Sequence, residues 1–251
     1  MNDTDPVEAP DGTPPETASP AGLLRRLWRE ERAAWRTHYR RYFKYAARAL
    51  GFGFAAGFLY FMFWPAREQK AFAYVVKALE DISVEGPPLT LALTLFYHNA
   101  RASVVAVAAG AVPFLFLPIL DPFINGGVLG LICSISKHQG LDVPRLLLTQ
   151  VLPHGIFELT AVLYATSVGL YLSMGTGKAA AAAWRRRKVR RAGTLSAPPA
   201  SPEIPEDEPD RRAASGLGSV LHNVVRSFVL VVLPLLLLAA FIEGFITPGL
   251  R

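Results

Sequence analysis

The chain has 251 residues, of which 51% are hydrophobic and only 18% charged, with a formal net charge of +6. That charge sits in a few segments that flank long apolar runs, which fits a membrane protein that crosses the bilayer several times and argues against a soluble enzyme or a basic nucleic-acid-binding domain. A single cysteine, Cys133, excludes an intramolecular disulfide and a cysteine zinc site.

Residues 1–22 are polar, acidic and proline-rich; they read as a disordered tail with no cleavable signal peptide. The pattern then changes. Leu24, Trp28, Trp35, Tyr39, Tyr42 and Ala46 recur at helical intervals, and Arg25, Arg26, Arg29, Arg32, Arg36, Arg40 and Arg41 fill the positions between them. Segment 23–45 therefore reads as a basic amphipathic helix lying on an anionic bilayer surface, or else as a solvated extension of the first span. The first span follows over 46–64. Its Gly53 and Gly57 form a small-xxx-small pair that admits a neighbouring helix closely.

An apolar stretch from Leu89 to Leu120 is interrupted by His98-Asn99-Ala100-Arg101. The uncharged part, 102–120, is long enough to cross by itself, which places His98, Asn99 and Arg101 near an interface. Segment 123–137 is short for a span and carries Asn125-Gly126-Gly127 and Gly130; it reads as a short tilted crossing, a partly unwound helix or a re-entrant loop. Span 146–174 contains Pro153-His154-Gly155-Ile156-Phe157-Glu158. Residues 175–219 begin with Arg185, Arg186, Arg187, Lys188, Arg190 and Arg191 and continue through five prolines, a basic and proline-rich linker. The last transmembrane helix and a short carboxyl terminus occupy 220–251. The bundle proper covers 46–174 together with this helix. The fold class is thus all-α: about five transmembrane helices plus the amphipathic interfacial helix.

Both basic segments, 25–48 and 178–191, belong on the cytoplasmic side, so the number of crossings between them is even. This favours 123–137 as a true crossing. It gives five spans in the cytoplasmic membrane with the amino terminus inside. In that arrangement His98, Asn99, Arg101, His154, Glu158 and Glu243 gather towards the outer leaflet, while Asp121 and Asn125 sit at an inner turn. Ionisable groups at membrane depth are costly unless paired or hydrated, so this cluster is the candidate site.

His154 and Glu158, four residues apart, share a helix face. They offer an imidazole nitrogen and a carboxylate oxygen to a metal, with His98 as a third ligand; equally they suit a proton relay, or an interhelical hydrogen-bond network with Asn99 and Arg101. Arg101 or His98 is the expected partner of Glu158. Pro153 frees a backbone carbonyl one turn earlier, and Asn125, Gly126, Gly127, Gly130 and Gly155 mark close packing or a local unwound turn. No nucleophile motif or phosphate-binding loop is present; Gly175-Thr176-Gly177-Lys178 lacks the required spacing and follows a span rather than a strand. No catalytic residue, metal site or cofactor is assigned.

Four ordered pieces carry a family resemblance. They are Tyr97-His98-Asn99-Ala100-Arg101, Asn125-Gly126-Gly127-Val128-Leu129-Gly130, Pro153-His154-Gly155-Ile156-Phe157-Glu158, and Ala239-Ala240-Phe241-Ile242-Glu243-Gly244-Phe245-Ile246-Thr247-Pro248. Together they resemble the stage II sporulation protein M family of polytopic membrane proteins over about Leu89–Pro248. The resemblance implies a helical integral membrane protein. The family's founding member acts in engulfment during endospore formation, as a membrane anchor for peptidoglycan-degrading partners. The expected function is therefore a non-enzymatic membrane scaffold of a cell-envelope complex, peptidoglycan-remodelling or sporulation-like. Its expected partners are the lipid bilayer, envelope proteins such as peptidoglycan hydrolases, and a further copy of itself, with no nucleic acid. A small transporter using the His/Glu cluster is the alternative, and an intramembrane metalloenzyme the second.

Overall fold

The computed structural model describes residues 19–79, 87–193 and 208–247, with side chains over 19–77, 87–188 and 216–247. The acidic tail thus lies almost wholly outside the described residues, as do the prolines of the linker from 194 to 207. Among the described residues every regular element is helical. Five helical stretches are long and apolar enough to cross a membrane: Pro20–Phe63, Pro88–Ala109, Leu117–His138, Val143–Lys188 and Gly216–Ile246. With no water in the hydrocarbon layer, a backbone must satisfy its own hydrogen bonds, and the helix is the form that does so within one segment.

The chain enters α1 (Pro20–Ala34) with Pro20 at the first position and Ser19 Oγ accepting from the Gly22 N–H at 3.0 Å. A π-helical turn over Trp35–Tyr39 joins α1 to α2 (Arg40–Phe63) without a break. The amphipathic segment and the first span are thus one 44-residue helix. Its apolar stripe does not lie wholly against lipid: Ala34, Tyr39, Tyr42 and Ala46 are buried against other helices, while Leu23, Leu24 and Trp28 stay exposed. Trp64 precedes Pro65, a position that disfavours the helical conformation, and α2 stops there. A short 3-10 turn leads into α3 (Glu68–Leu79).

The second crossing differs from the expected 102–120. It is α4 (Pro88–Ala109), opened by Pro88 and ended ahead of Gly110 and Pro113. His98, Asn99 and Arg101 are therefore in mid-helix rather than at its edge. Counting only uncharged residues misplaced the span, because a helix can carry polar groups wherever a neighbour or a groove receives them. Residues 110–116 then run along the later helix α7 (Leu152–Gly193). Ser173 Oγ donates to the Val112 carbonyl at 3.5 Å, and the Phe114 ring lies over Gly177. Phe114 and Phe116 take left-handed backbone conformations, φ 69° and 47°, unusual for aromatic residues. The chain returns through a 3-10 turn at Leu117–Ile119, where Thr166 Oγ1 donates to the Pro118 carbonyl at 3.4 Å.

Residues 123–137 fall inside α5 (Leu120–His138), an unbroken helix, so Asn125-Gly126-Gly127 is neither unwound nor re-entrant. Those glycines are a packing face. α5 runs parallel to α2, Phe123 opposite Gly53 and Gly127 opposite Gly57. A methyl group built at Gly53 would fall on the Phe123 carbonyl; at Gly126, on that of Leu50; at Gly130, 2.5 Å from that of Phe54. The two backbones touch, which only hydrogen side chains permit.

After α6 (Val143–Leu146), capped by Asp142, a π turn at Leu147–Val151 opens α7, which runs on to Gly193. The basic residues expected in a flexible linker, from Arg185 to Arg191, are thus part of a helix. Helix α8 (Glu208–Ser227) continues through a π turn at Phe228–Val232 into α9 (Leu233–Phe241) and a final π turn at Ile242–Ile246. Three of the four π turns end two residues before a proline: Pro153, Pro234 and Pro248. Proline has no N–H to donate and its ring crowds the preceding turn; a widened turn relieves both.

The two basic segments meet at one end of the bundle. The His38 ring packs on Tyr171 at 5.0 Å, and His38 lies within electrostatic reach of Lys178. A shared end for these two segments is what an even number of crossings between them would require.

The glycine seam sets a measurable expectation. Gly53→Val should destabilise the protein by about 1–3 kcal/mol or more through overpacking. Gly51→Ala meets nothing within 4 Å and should be neutral or stabilising by up to about 1 kcal/mol. Thermal unfolding of the two variants in detergent checks both.

Candidate functional site

Helix α7 places His154 and Glu158 one turn apart on a single face, and the π turn at Ile242–Ile246 brings Glu243 against them. One ligand-type atom from each of the three lies within 4.8 Å of the others. His154 Nε2 is 3.9 Å from Glu243 Oε2, too long for a hydrogen bond. His154 Nδ1 is fully buried and has no hydrogen-bond partner. Asn99, from α4, lies beside Glu158. Gly244 makes the convergence possible: a methyl there would strike the Ala92 side chain and approach the Pro88 carbonyl to 2.9 Å, so the last helix reaches α4 only through glycine.

Four of the six expected cluster residues therefore come together: Asn99, His154, Glu158 and Glu243. His98 and Arg101 do not join them. They line a lateral groove of about 560 Å³ with Asp121, Leu117 and Ile124. Arg101 forms no salt bridge among the described residues, so the expected pairing of Glu158 with Arg101 or His98 is replaced by Asn99 and Glu243. The reason is angular: successive residues on a helix point about 100° apart, so Asn99 lies towards Glu158 while His98 and Arg101 line the groove. Asp121, expected at an inner turn away from these residues, shares the groove because the 110–119 segment folds back along α7. Asn125 Nδ2 donates to the Asp121 carbonyl at 2.9 Å and to its Oδ1 at 3.2 Å, one turn earlier on the same helix. Pro153 sits just after the widened turn of α7, and Gly155 meets only the Val151 side chain, at 3.4 Å, so it is no close helix contact.

A second polar centre, not among the residues expected from sequence, lies between α1, α7 and α8. Glu31 of α1 is 2% exposed and Arg226 of α8 is 7% exposed. Arg226 Nε donates to Glu31 Oε2 at 3.0 Å, and its Nη1 to Glu30 Oε2 at 3.0 Å. Ser227 Oγ donates to Glu31 Oε2 at 2.9 Å, and the Tyr164 hydroxyl to Glu31 Oε1 at 2.5 Å. The Tyr39 hydroxyl stands 3.0 Å from Ser227 Oγ. Trp35 stacks flat on Tyr164, ring centroids 5.5 Å apart. One carboxylate thus ties α1, α7 and α8. The sequence did hold a signal: Glu31 occupies the missing position of the stripe Leu24, Trp28, Trp35, Tyr39, and Arg226 is a charge inside the expected last span. A third knot joins Glu68 to Ser134 Oγ at 2.6 Å and His138 Nδ1 at 2.9 Å, fastening α3 to the end of α5.

A family model described as stage II sporulation protein M matches residues 46–248. Neither a curated protein nor a solved structure gives a significant match. The matched region contains both glycine faces and the whole His154–Glu158–Glu243 cluster, and leaves α1 with Glu31 outside.

Removing one member of the buried pair strands the other. Glu31→Ala or Arg226→Ala should each cost about 3–5 kcal/mol, whereas Arg26→Ala, which breaks the exposed Arg26–Glu30 pair at 3.0 Å, should cost about 0–1 kcal/mol. Thermal melts of the three variants separate these outcomes.

Proposed function

The chain belongs to the stage II sporulation protein M family, and from that premise we propose that it is a non-enzymatic scaffold of a cell-envelope complex. It lies in the cytoplasmic membrane with its amino terminus inside, and it anchors peptidoglycan-remodelling or sporulation-like partners such as peptidoglycan hydrolases. The observation that carries this reading is the rigid, self-locked architecture. Backbone-to-backbone glycine packing and a buried Glu31–Arg226 pair suit a fixed platform better than a machine whose helices must slide. The basic stripe of α1 supports contact with anionic lipid: Arg25, Arg29, Arg32 and Arg36 share one groove with the exposed Leu24 and Trp28. The apolar residues left exposed on the spans serve lipid and further copies or partners alike.

One observation favours a second reading. Two carboxylates and a histidine gathered between apolar helices also suit a small transporter that couples to ions or protons.

Two measurements test these statements. With Cys133 replaced, a cysteine at Lys70 should react with an impermeant thiol reagent in intact cells, and one at Ala181 only after permeabilisation; the reverse pattern overturns the orientation. Crosslinking in the native host should capture a peptidoglycan hydrolase with wild type and with Glu158→Gln alike. Ion-driven flux in proteoliposomes that Glu158→Gln abolishes would instead establish the transporter.

A further inference from the structure

The geometry points to a divalent metal site formed by His154, Glu158 and Glu243, with Asn99 orienting Glu158. We propose that it takes a first-row transition metal, with zinc the best match. One imidazole nitrogen and two carboxylate oxygens form a donor set suited to that class of ion and poor for soft copper(I), which wants sulfur.

The balance of donors and acceptors argues for a cation. Two carboxylates approach each other here; near them are a neutral amide and an imidazole, and Asp121, a further carboxylate, lies within electrostatic reach of Glu158. Arg101, the obvious counter-charge, lies in the groove with Asp121 instead. The His154 imidazole does not settle the matter, because its Nε2 stands 3.9 Å from Glu243. Its Nδ1 is buried with no partner, a state that costs about 1–3 kcal/mol for a buried polar atom. A cation among these groups would take one imidazole nitrogen as ligand and neutralise both carboxylates.

The backbone is arranged for this. His154 and Glu158 stand at i and i+4, so both side chains reach the same point beside α7. Each of the two elements that supply ligands has a π turn at the ligand: Leu147–Val151 ends just before His154, and Ile242–Ile246 contains Glu243. Such turns re-aim side chains and recur at functional sites. Donors held about 2.0–2.2 Å from one tetrahedral ion lie roughly 3.5 Å apart. The present separations, up to 4.8 Å, close by rotation of Glu243, whose side chain keeps 26% exposure. Three protein donors leave a fourth position for water. The bound ion joins α7 to the last helix, at a point where no other ion pair among the described residues links them.

The test uses the full chain in detergent micelles, stripped with a chelator and titrated with zinc by calorimetry while melting is followed in parallel. Wild type should bind one zinc per chain, saturably, and melt at a higher temperature when loaded. His154→Ala and Glu243→Gln should each weaken binding by more than about tenfold. Asn99→Ala, which removes the orienting partner, should weaken it by about 10–100-fold. His138→Ala, at the separate Glu68 knot, should leave it unchanged. The proposal is overturned if wild type shows no saturable binding, a result independent of how any variant folds. It is equally overturned if the near-isosteric Glu243→Gln binds zinc as wild type does.

Discussion

The parallel contact between α2 and α5 is the constraint on which the rest of the bundle depends. Helices packed through side chains stand 8–10 Å apart, and small residues are what allow a closer approach. Gly53, Gly57, Gly126 and Gly130 remove the side chains on both sides, so backbone meets backbone. Within lipid there is little hydrophobic drive between helices, and such close dispersion contacts supply the attraction. Two crossings that run in the same direction need a return crossing between them. That return is α4, and the chain reaches α5 only by folding residues 110–119 along α7. The position of Asp121 beside Arg101 and His98 is a consequence of that detour.

Charge and polarity are then held at separate knots, each of which spans distant parts of the chain. Glu31 binds the amino-terminal helix to α7 and α8, Glu68 binds α3 to α5, and Glu243 brings the last helix to α7 and α4. The first two carboxylates are satisfied by hydrogen-bond donors at 2.5–3.0 Å. The third group is the exception. Its histidine keeps an unpartnered nitrogen, and among the described residues Glu243 has only His154 Nε2, at 3.9 Å, as an ion-pair partner. That contrast with the Glu31 and Glu68 knots is what sets the His154–Glu158–Glu243 group apart.

Legibility differed by kind of signal. The Gly53 and Gly57 pair is legible as a close-packing face, whereas Asn125-Gly126-Gly127 reads equally as packing or as an unwound turn, and only the continuous helix α5 decides for packing. The second span was misplaced because hydropathy counts charges without knowing which way they point. Glu31 is illegible for the same reason: a lone acid among aromatic and basic residues does not reveal that it lies on the buried stripe. The pairing of Glu158 with Arg101 was plausible from depth, yet depth does not fix azimuth, and one residue along a helix is a rotation of about 100°.

The sequence by itself determined that this protein is an all-helical, multi-pass membrane protein of the stage II sporulation protein M family. Length, hydropathy and glycine spacing are local properties that survive without knowing any contact. Tertiary structure alone decided which polar groups meet. Glu31 with Arg226, Glu68 with His138, and Glu243 with His154 are separated by 195, 70 and 89 residues, and only the rotation and crossing of packed helices bring such groups within reach.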